Sequence, residues 1–243
     1  MINVVLNVYK RPHTLKRQIE AVLAQSVEVK PENIHVWYNE AGVKKEFSDI
    51  PGIKTYIASW NTKFWGRFTL PLLFEPGFVA IFDDDIIPEK NWLKNCMDSY
   101  AEKPGIYGGS GIFIMEDGKY FPKKRMGWNG AHLDRIQEVD LVGHAWFFNK
   151  DVAKYLWYEE PLSFDNGEDI MFSFLARKYG GVRSYVPPHP DSDRSLWSTS
   201  PESGRKLGCD KNASWRREDH SVGRDKIVKY YHDRGFKRVG NGG

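Results

Sequence analysis

The run Phe78-Val79-Ala80-Ile81-Phe82, stopped by Asp83-Asp84-Asp85, constrains the fold of this chain more than any other feature. A short, wholly apolar run fits a strand buried on both faces of a mainly parallel sheet, and three adjacent carboxylates must leave that core at once. The opening segment has the same character: Ile2 to Tyr9 is apolar nearly throughout and ends at Lys10-Arg11. Pro12 then suits the first turn of a helix, in which Leu15, Ile19, Val22 and Leu23 share one face. Strands are predicted over 34–39 and 53–58, and a helix from about Pro88 to Glu102. Further strands are predicted over 106–115, 141–149 and 182–186, with helices over 150–157 and 168–179. Alternation of this kind predicts an α/β fold with a mostly parallel central sheet flanked by helices.

At 243 residues the chain suits one α/β domain. Pro187-Pro188-His189-Pro190 interrupts regular structure and predicts a long polar loop to about Ser214. The two cysteines, Cys96 and Cys209, lie far apart and form neither a disulfide framework nor a zinc pattern. With no apolar run of about 20 residues and no leader-like opening, the sequence reads as cytoplasmic. Residues 183–243 carry 13 Lys/Arg against 8 Asp/Glu, so the surplus of positive charge sits at the C-terminal end, where it could meet phosphates or remain a solvated face.

In an open α/β sheet, ligands bind beyond the carboxyl ends of the strands, which is where the three aspartates fall. Side by side they repel one another, whereas a hard divalent cation shared with substrate phosphates would compensate them. The alternative is an acidic turn capping the helix after Pro88. A second acidic pair, Glu168-Asp169, follows Gly167 and opens a helix, either as a cap or as a carboxylate facing a reaction centre.

The aspartate run in FVAIFDDDIIP resembles the DxD element of GT-A glycosyltransferases, most of all the exostosin-like family (family 64). NVYKRPHTLKRQI is similar to that family's opening strand, turn and helix, IHVWYNE to its second strand, and NTKFWGRF to the segment before the DxD strand. LVGHAWFFNKDVAKYL resembles its Gly-x-x-Phe-Phe-Asn strand, and GEDIMFSFLARKYGG its acidic pair opening a helix. These segments run in the family's order from about residue 2 to 181.

The resemblance implies a single GT-A, Rossmann-like nucleotide-diphospho-sugar transferase domain. It divides into a nucleotide-sugar half (about 1–115), an acceptor half (about 116–186), a candidate lid (about 187–222) and a C-terminal helix or tail to 243. It implies transfer from a nucleotide sugar, on a UDP carrier, to a hydroxyl of a glycan or glycoconjugate, assisted by Mn²⁺ or Mg²⁺. Carried over by position, Arg11, Asn39, Asn61 and Arg67 would touch the nucleotide or its diphosphate, and Asp83 or Asp84 the ribose. Asp85 would hold the metal, with Asp83 and His220 as further ligands, and Asp169, paired with Glu168, would carry catalysis. Arg11 and Arg67 as salt-bridge partners and Asn39 as a turn residue are the competing readings. Trp197, Trp215, Arg216 and Arg217 offer stacking faces and phosphate contacts within the lid; His144, within an apolar strand, reads as a satisfied core residue or an acceptor contact rather than a metal ligand, and Trp146, Phe147 and Phe148 read mainly as core.

Family relatives of the exostosin type retain anomeric configuration, whereas a Glu-Asp pair at this place also resembles inverting GT-A enzymes, so both outcomes stay open. A sugar nucleotidyltransferase is the second enzyme reading, although NVYKRPHT lacks the glycines of a phosphate loop. A catalytically silent carbohydrate-binding protein of the same fold is the third. Nucleic acid is not an expected partner; a role for the basic tail in binding it would require steep salt dependence.

Overall fold

The computed structural model describes residues 1–40, 50–121, 124–210, 213–217 and 219–240. Residues 211–212 and 218 of the candidate lid lie outside the described residues. The elements run β1 (Ile2–Val8), α1 (Leu15–Leu23), β2 (Ile34–Tyr38), β3 (Lys54–Ile57), β4 (Phe78–Phe82), α2 (Trp92–Glu102), β5 (Ile106–Phe113), β6 (Lys124–Gly127) and β7 (Gln137–Val139). They continue with β8 (Leu141–Asn149), α3 (Glu168–Gly180), β9 (Ser184–Val186), α4 (Pro201–Gly208) and α5 (Asp219–His232). Residues 150–157, predicted as a helix, form 3₁₀ turns.

The strands join one sheet in the order β3-β2-β1-β4-β8-β5-β9-β7, with β6 paired to the outside of this path on β5. The first four strands are mutually parallel, β8 runs antiparallel between β4 and β5, and β9 is parallel to β5. This is the predicted α/β fold with a central sheet and flanking helices. Alternate residues of each central strand feed two cores. Val4, Leu6, Ala80, Phe82, Ala145 and Phe147 face the side covered by Leu15, Ile19 and Val22 of α1. Val5, Val79, Ile81, Trp146 and Phe148 face the side covered by Ile170, Phe172 and Phe174 of α3. A strand with apolar residues on both faces has no solvent-facing side, which is why these runs lack polar alternation.

The reversal at β8 positions the site. Because β8 enters antiparallel to β4, its first residues lie beside the carboxyl end of β4, with Ala145 opposite Phe82. Gly143 and His144 therefore reach the neighbourhood of the three aspartates from a distant part of the chain.

The long polar loop predicted after Pro190 is instead largely ordered around α4. Ser200 caps that helix, its hydroxyl accepting from Ser203 N at 3.1 Å, and Pro201 occupies the first helical position. Trp197 is 1% exposed, stacked on His189 and His132 with ring centroids 4.3 and 4.8 Å away, and its indole N–H donates to Pro190 O. Its ring is spent on packing, so it is no stacking face for a sugar. Trp215, by contrast, is exposed.

Candidate functional site

Two cavities open at the carboxyl ends of the parallel strands and share Asp83, Asp85, Gly208 and Trp215 in their walls. The smaller, of about 240 Å³, is lined by Arg11, Asn39, Asn61, Arg67, Asp83, Asp84 and Asp85 among others. These are the residues that the resemblance assigns to the nucleotide, ribose and metal. The larger cleft, of about 960 Å³, is lined by Asp169, His144, Trp128 and His220.

The aspartate turn is built from α1. Thr14 and Gln18, one helical turn apart, face the acidic run: Thr14 Oγ1 donates to Asp84 O at 2.7 Å, and Gln18 Nε2 donates to Asp83 O at 2.6 Å and Ile86 O at 2.8 Å. Both side chains are buried, so these bonds fix where the three carboxylates point. The side chains then diverge. Asp84 accepts from Arg11 Nη1 at 2.6 Å, and Asp83 lies 3.1 Å from Arg67 Nη2. Asp85 stands 3.8 Å from Arg11, beyond hydrogen-bonding distance. Burial and the neighbouring aspartates push Asp83 up to about 6 and Asp85 up to about 7.

Arg11 and Arg67 are ion-paired, as one sequence reading proposed, but they are buried and not surface residues. Arg11 also donates from Nε and Nη2 to Asp210 at 3.1 and 2.7 Å. Arg67, 2% exposed, places Nη2 3.1 Å from both Asp83 and Glu168, with Trp146 and Phe68 rings around its guanidinium. It therefore ties the two acidic elements of the sequence together. Asn39 and Asn61 line the small cavity but spend their bonds on its loop. The Asn39 amide donates to Asn61 Oδ1 at 3.0 Å and Lys63 O at 2.7 Å, while its carbonyl accepts from Thr62 N and Thr62 Oγ1. Asn61 Nδ2 donates to Tyr9 OH at 2.8 Å.

Glu168 and Asp169 share the first turn of α3 and differ in role. Glu168 is buried against Arg67 and is absent from the cleft wall; desolvation and the adjacent Asp169 push it up to about 7. Asp169 lines the cleft and receives Arg224 Nη2 at 2.5 Å. Arg224, on α5, lies over the Tyr120 ring at 4.4 Å and donates to Asn166 Oδ1 at 3.3 Å. Gly167 permits this docking. Its φ is +100°, a conformation that favours glycine, and a Cβ there would press on the Ile227 side chain of α5, 2.2 Å from its Cδ1.

Arg224, Asp210 and Tyr120 were not singled out from sequence. Their partners lie 55 to 199 residues away along the chain for the two ion pairs, and no local pattern announces such a pair. His220 reaches the wall of the larger cleft with Asp83 and Asp85, yet among the described residues no group of three His, Cys, Asp or Glu is arranged to hold a metal ion. His144 lies within the apolar strand β8 but is only half-buried; its φ is +76° and its ring stacks on Trp128 with centroids 3.9 Å apart, facing the cleft.

Neither the protein-family models nor the curated proteins gave a match to this chain. Among solved structures, the crystal structure of S. aureus TarS, a glycosyltransferase, is similar, with a TM-score of 0.53 and 14% identity. The likeness covers 97% of this chain and 43% of TarS, so the chain spans less than half of that protein. The fold is thus one found in a glycosyltransferase. No helix among the described residues is long and apolar enough to cross a membrane.

Proposed function

We propose that the protein is a metal-assisted glycosyltransferase that moves a sugar from a nucleotide diphosphate, UDP first, to a hydroxyl of a glycan or glycoconjugate. One observation carries the reading: Asp83 and Asp85 stand at the junction of two cavities, one walled by Arg11 and Arg67, the other by Asp169. A donor diphosphate in the small cavity would present its anomeric carbon to an acceptor in the large one. The arginines, already at the strand ends, offer the cationic groups a diphosphate needs.

The donor set fits a hard divalent ion. Asp85 supplies a carboxylate beyond hydrogen-bonding distance of Arg11, and Asp83 a second one whose buried Oδ1 faces Arg67 Nη2 at 3.1 Å but accepts no hydrogen bond among the described residues. With two protein ligands, coordination would be completed by phosphate oxygens, as is common for Mg²⁺ and Mn²⁺. When bound, the ion would neutralise charge on the departing nucleoside diphosphate.

The remaining work falls to the chain. Arg67 holds Asp83 against Glu168, fixing the donor wall relative to α3. Asp169, oriented by Arg224, faces the space where the acceptor hydroxyl would attack as the bond from the anomeric carbon to the diphosphate oxygen breaks. Its carboxylate is available there to receive the hydroxyl proton or to oppose positive charge at the anomeric carbon. Trp215, exposed in the walls of both cavities, would cover the reacting groups from water once substrates are bound.

The test is a panel of UDP-, GDP- and dTDP-sugars with Mn²⁺ or Mg²⁺, followed by release of the nucleoside diphosphate and by NMR of the product anomer. Metal-dependent turnover of one donor is expected. No metal-dependent response to any donor would remove the proposal.

A further inference from the structure

One wall of the larger cleft holds buried polar atoms that have no hydrogen-bond partner among the described residues. Ser110 lies between Gly127 and Gly143 in the register of β5 with β6 and β8, so the residues after those glycines, Trp128 and His144, flank it. All three line the cleft. Ser110 Oγ, Trp128 Nε1 and His144 Nε2 are buried without hydrogen-bond partners among the described residues. Native proteins leave few such groups unpaired, because each costs about 1–3 kcal/mol.

Two guanidiniums join them. Arg125, on β6, is half-buried, and Arg205, on α4, is exposed; both line the cleft, and neither guanidinium has an ion pair or hydrogen bond among the described residues. Asp85 apart, which stands 3.8 Å from Arg11, the cleft's other acidic and arginine side chains differ in this respect, Asp83 lying 3.1 Å from Arg67. Arg224 is paired with Asp169, and Asp225 accepts the backbone N–H groups of Tyr120 and Phe121. α4 is pressed onto this wall, since a Cβ on Gly204 would lie 2.5 Å from Trp128 Cζ2, which brings the neighbouring Arg205 to the same side.

A wall with a hydroxyl, an indole N–H and two guanidiniums that have no ion pair among the described residues is rich in donors and carries positive charge. We infer that this wall is a binding subsite for an anionic group, a phosphate or a carboxylate, borne by the acceptor next to the hydroxyl that receives the sugar. The inference rests on the glycosyl-transfer reading for the word acceptor, while the anion site itself rests on the unpaired donors. The Trp128 and His144 rings, stacked 9° from coplanar, brace the wall. Burial pushes His144 down to about 3, so the imidazole is neutral at physiological pH and adds a polar atom without a charge.

The experiment measures binding by calorimetry with UDP and Mg²⁺ saturating, so that the donor cavity is filled. Glucose 6-phosphate is compared with glucose, and galacturonate with galactose. Binding about tenfold tighter for at least one charged sugar over its neutral partner is expected, as charge-assisted bidentate bonds would give. Preference for the phosphate alone would identify a phosphorylated acceptor; preference for the uronate alone, a carboxylated one. Arg125→Gln and Arg205→Gln should each erode the preference and together abolish it, with UDP affinity unchanged, while Arg125→Lys should keep part of it. Equal binding of charged and neutral sugars, or a preference that survives both Gln substitutions, would overturn the inference. UDP titrations of the same proteins report separately on the donor reading.

Discussion

Replacing Arg224 with Met removes the cation that faces Asp169 and leaves a carboxylate whose side chain is 11% exposed. The Arg224 side chain is itself only 7% exposed, so the pair is desolvated on both sides. Breaking such a buried pair from one side costs about 3–5 kcal/mol, chiefly because the remaining charge stays buried. The cation–π contact with Tyr120 and the bond to Asn166 are lost with it. For a chain of 150–250 residues each kcal/mol lowers Tm by about 2–4 °C, so a fall of about 6–20 °C is expected. Urea unfolding of wild type, Arg224→Met, Asp169→Asn and the double variant measures the coupling. The double variant should be more stable than the sum of the single effects by about 1–3 kcal/mol, since it leaves no orphaned charge. Additive effects, or a cost below about 1 kcal/mol for Arg224→Met, would refute the reasoning.

Asp210→Asn removes an anion from Arg11 that a donor diphosphate must otherwise displace. UDP should then bind about threefold tighter or better by calorimetry, a partly exposed pair being worth roughly 1 kcal/mol. His35 is buried beside Tyr56 and Asn3, and burial with the nearby Lys54 pushes it down to about 4. Its folded value lies below its unfolded one, so stability is full above about 6.5 and is lost as pH falls towards 4. Thermal unfolding of His35→Gln between pH 7 and 4 should show a shallower loss than wild type; parallel profiles would contradict the assignment.

The strands of the core were legible because both their faces are apolar. Phe78–Phe82 and Leu141–Asn149 lie where the sequence predicts, and the aspartates emerge at the strand end. What escaped was whatever depends on distant pairing. Nothing local distinguishes Arg224 from the other basic residues of α5, and its partner is in α3. Gln18 did carry a signal: a glutamine one turn from Thr14, beside the apolar face of α1, has no reason to be buried unless it bonds backbone elsewhere. The stretch after Pro190 was misread for another reason. Prolines excluded a strand there but not the capped turn Ser200-Pro201, which starts α4. Trp197, read as a sugar platform, is buried by two histidine rings whose proximity no sequence pattern gives.

The central claim is that the aspartate run serves the donor and Asp169 serves the transfer. It is tested most directly by titrating UDP, with and without Mn²⁺, into wild type, Asp85→Asn and Asp169→Asn, alongside transfer assays. Wild type should bind UDP more tightly with Mn²⁺, Asp85→Asn should lose that gain, and Asp169→Asn should keep it while losing transfer. If Asp85→Asn binds UDP with Mn²⁺ as tightly as wild type, or Asp169→Asn transfers at the wild-type rate, the account is contradicted.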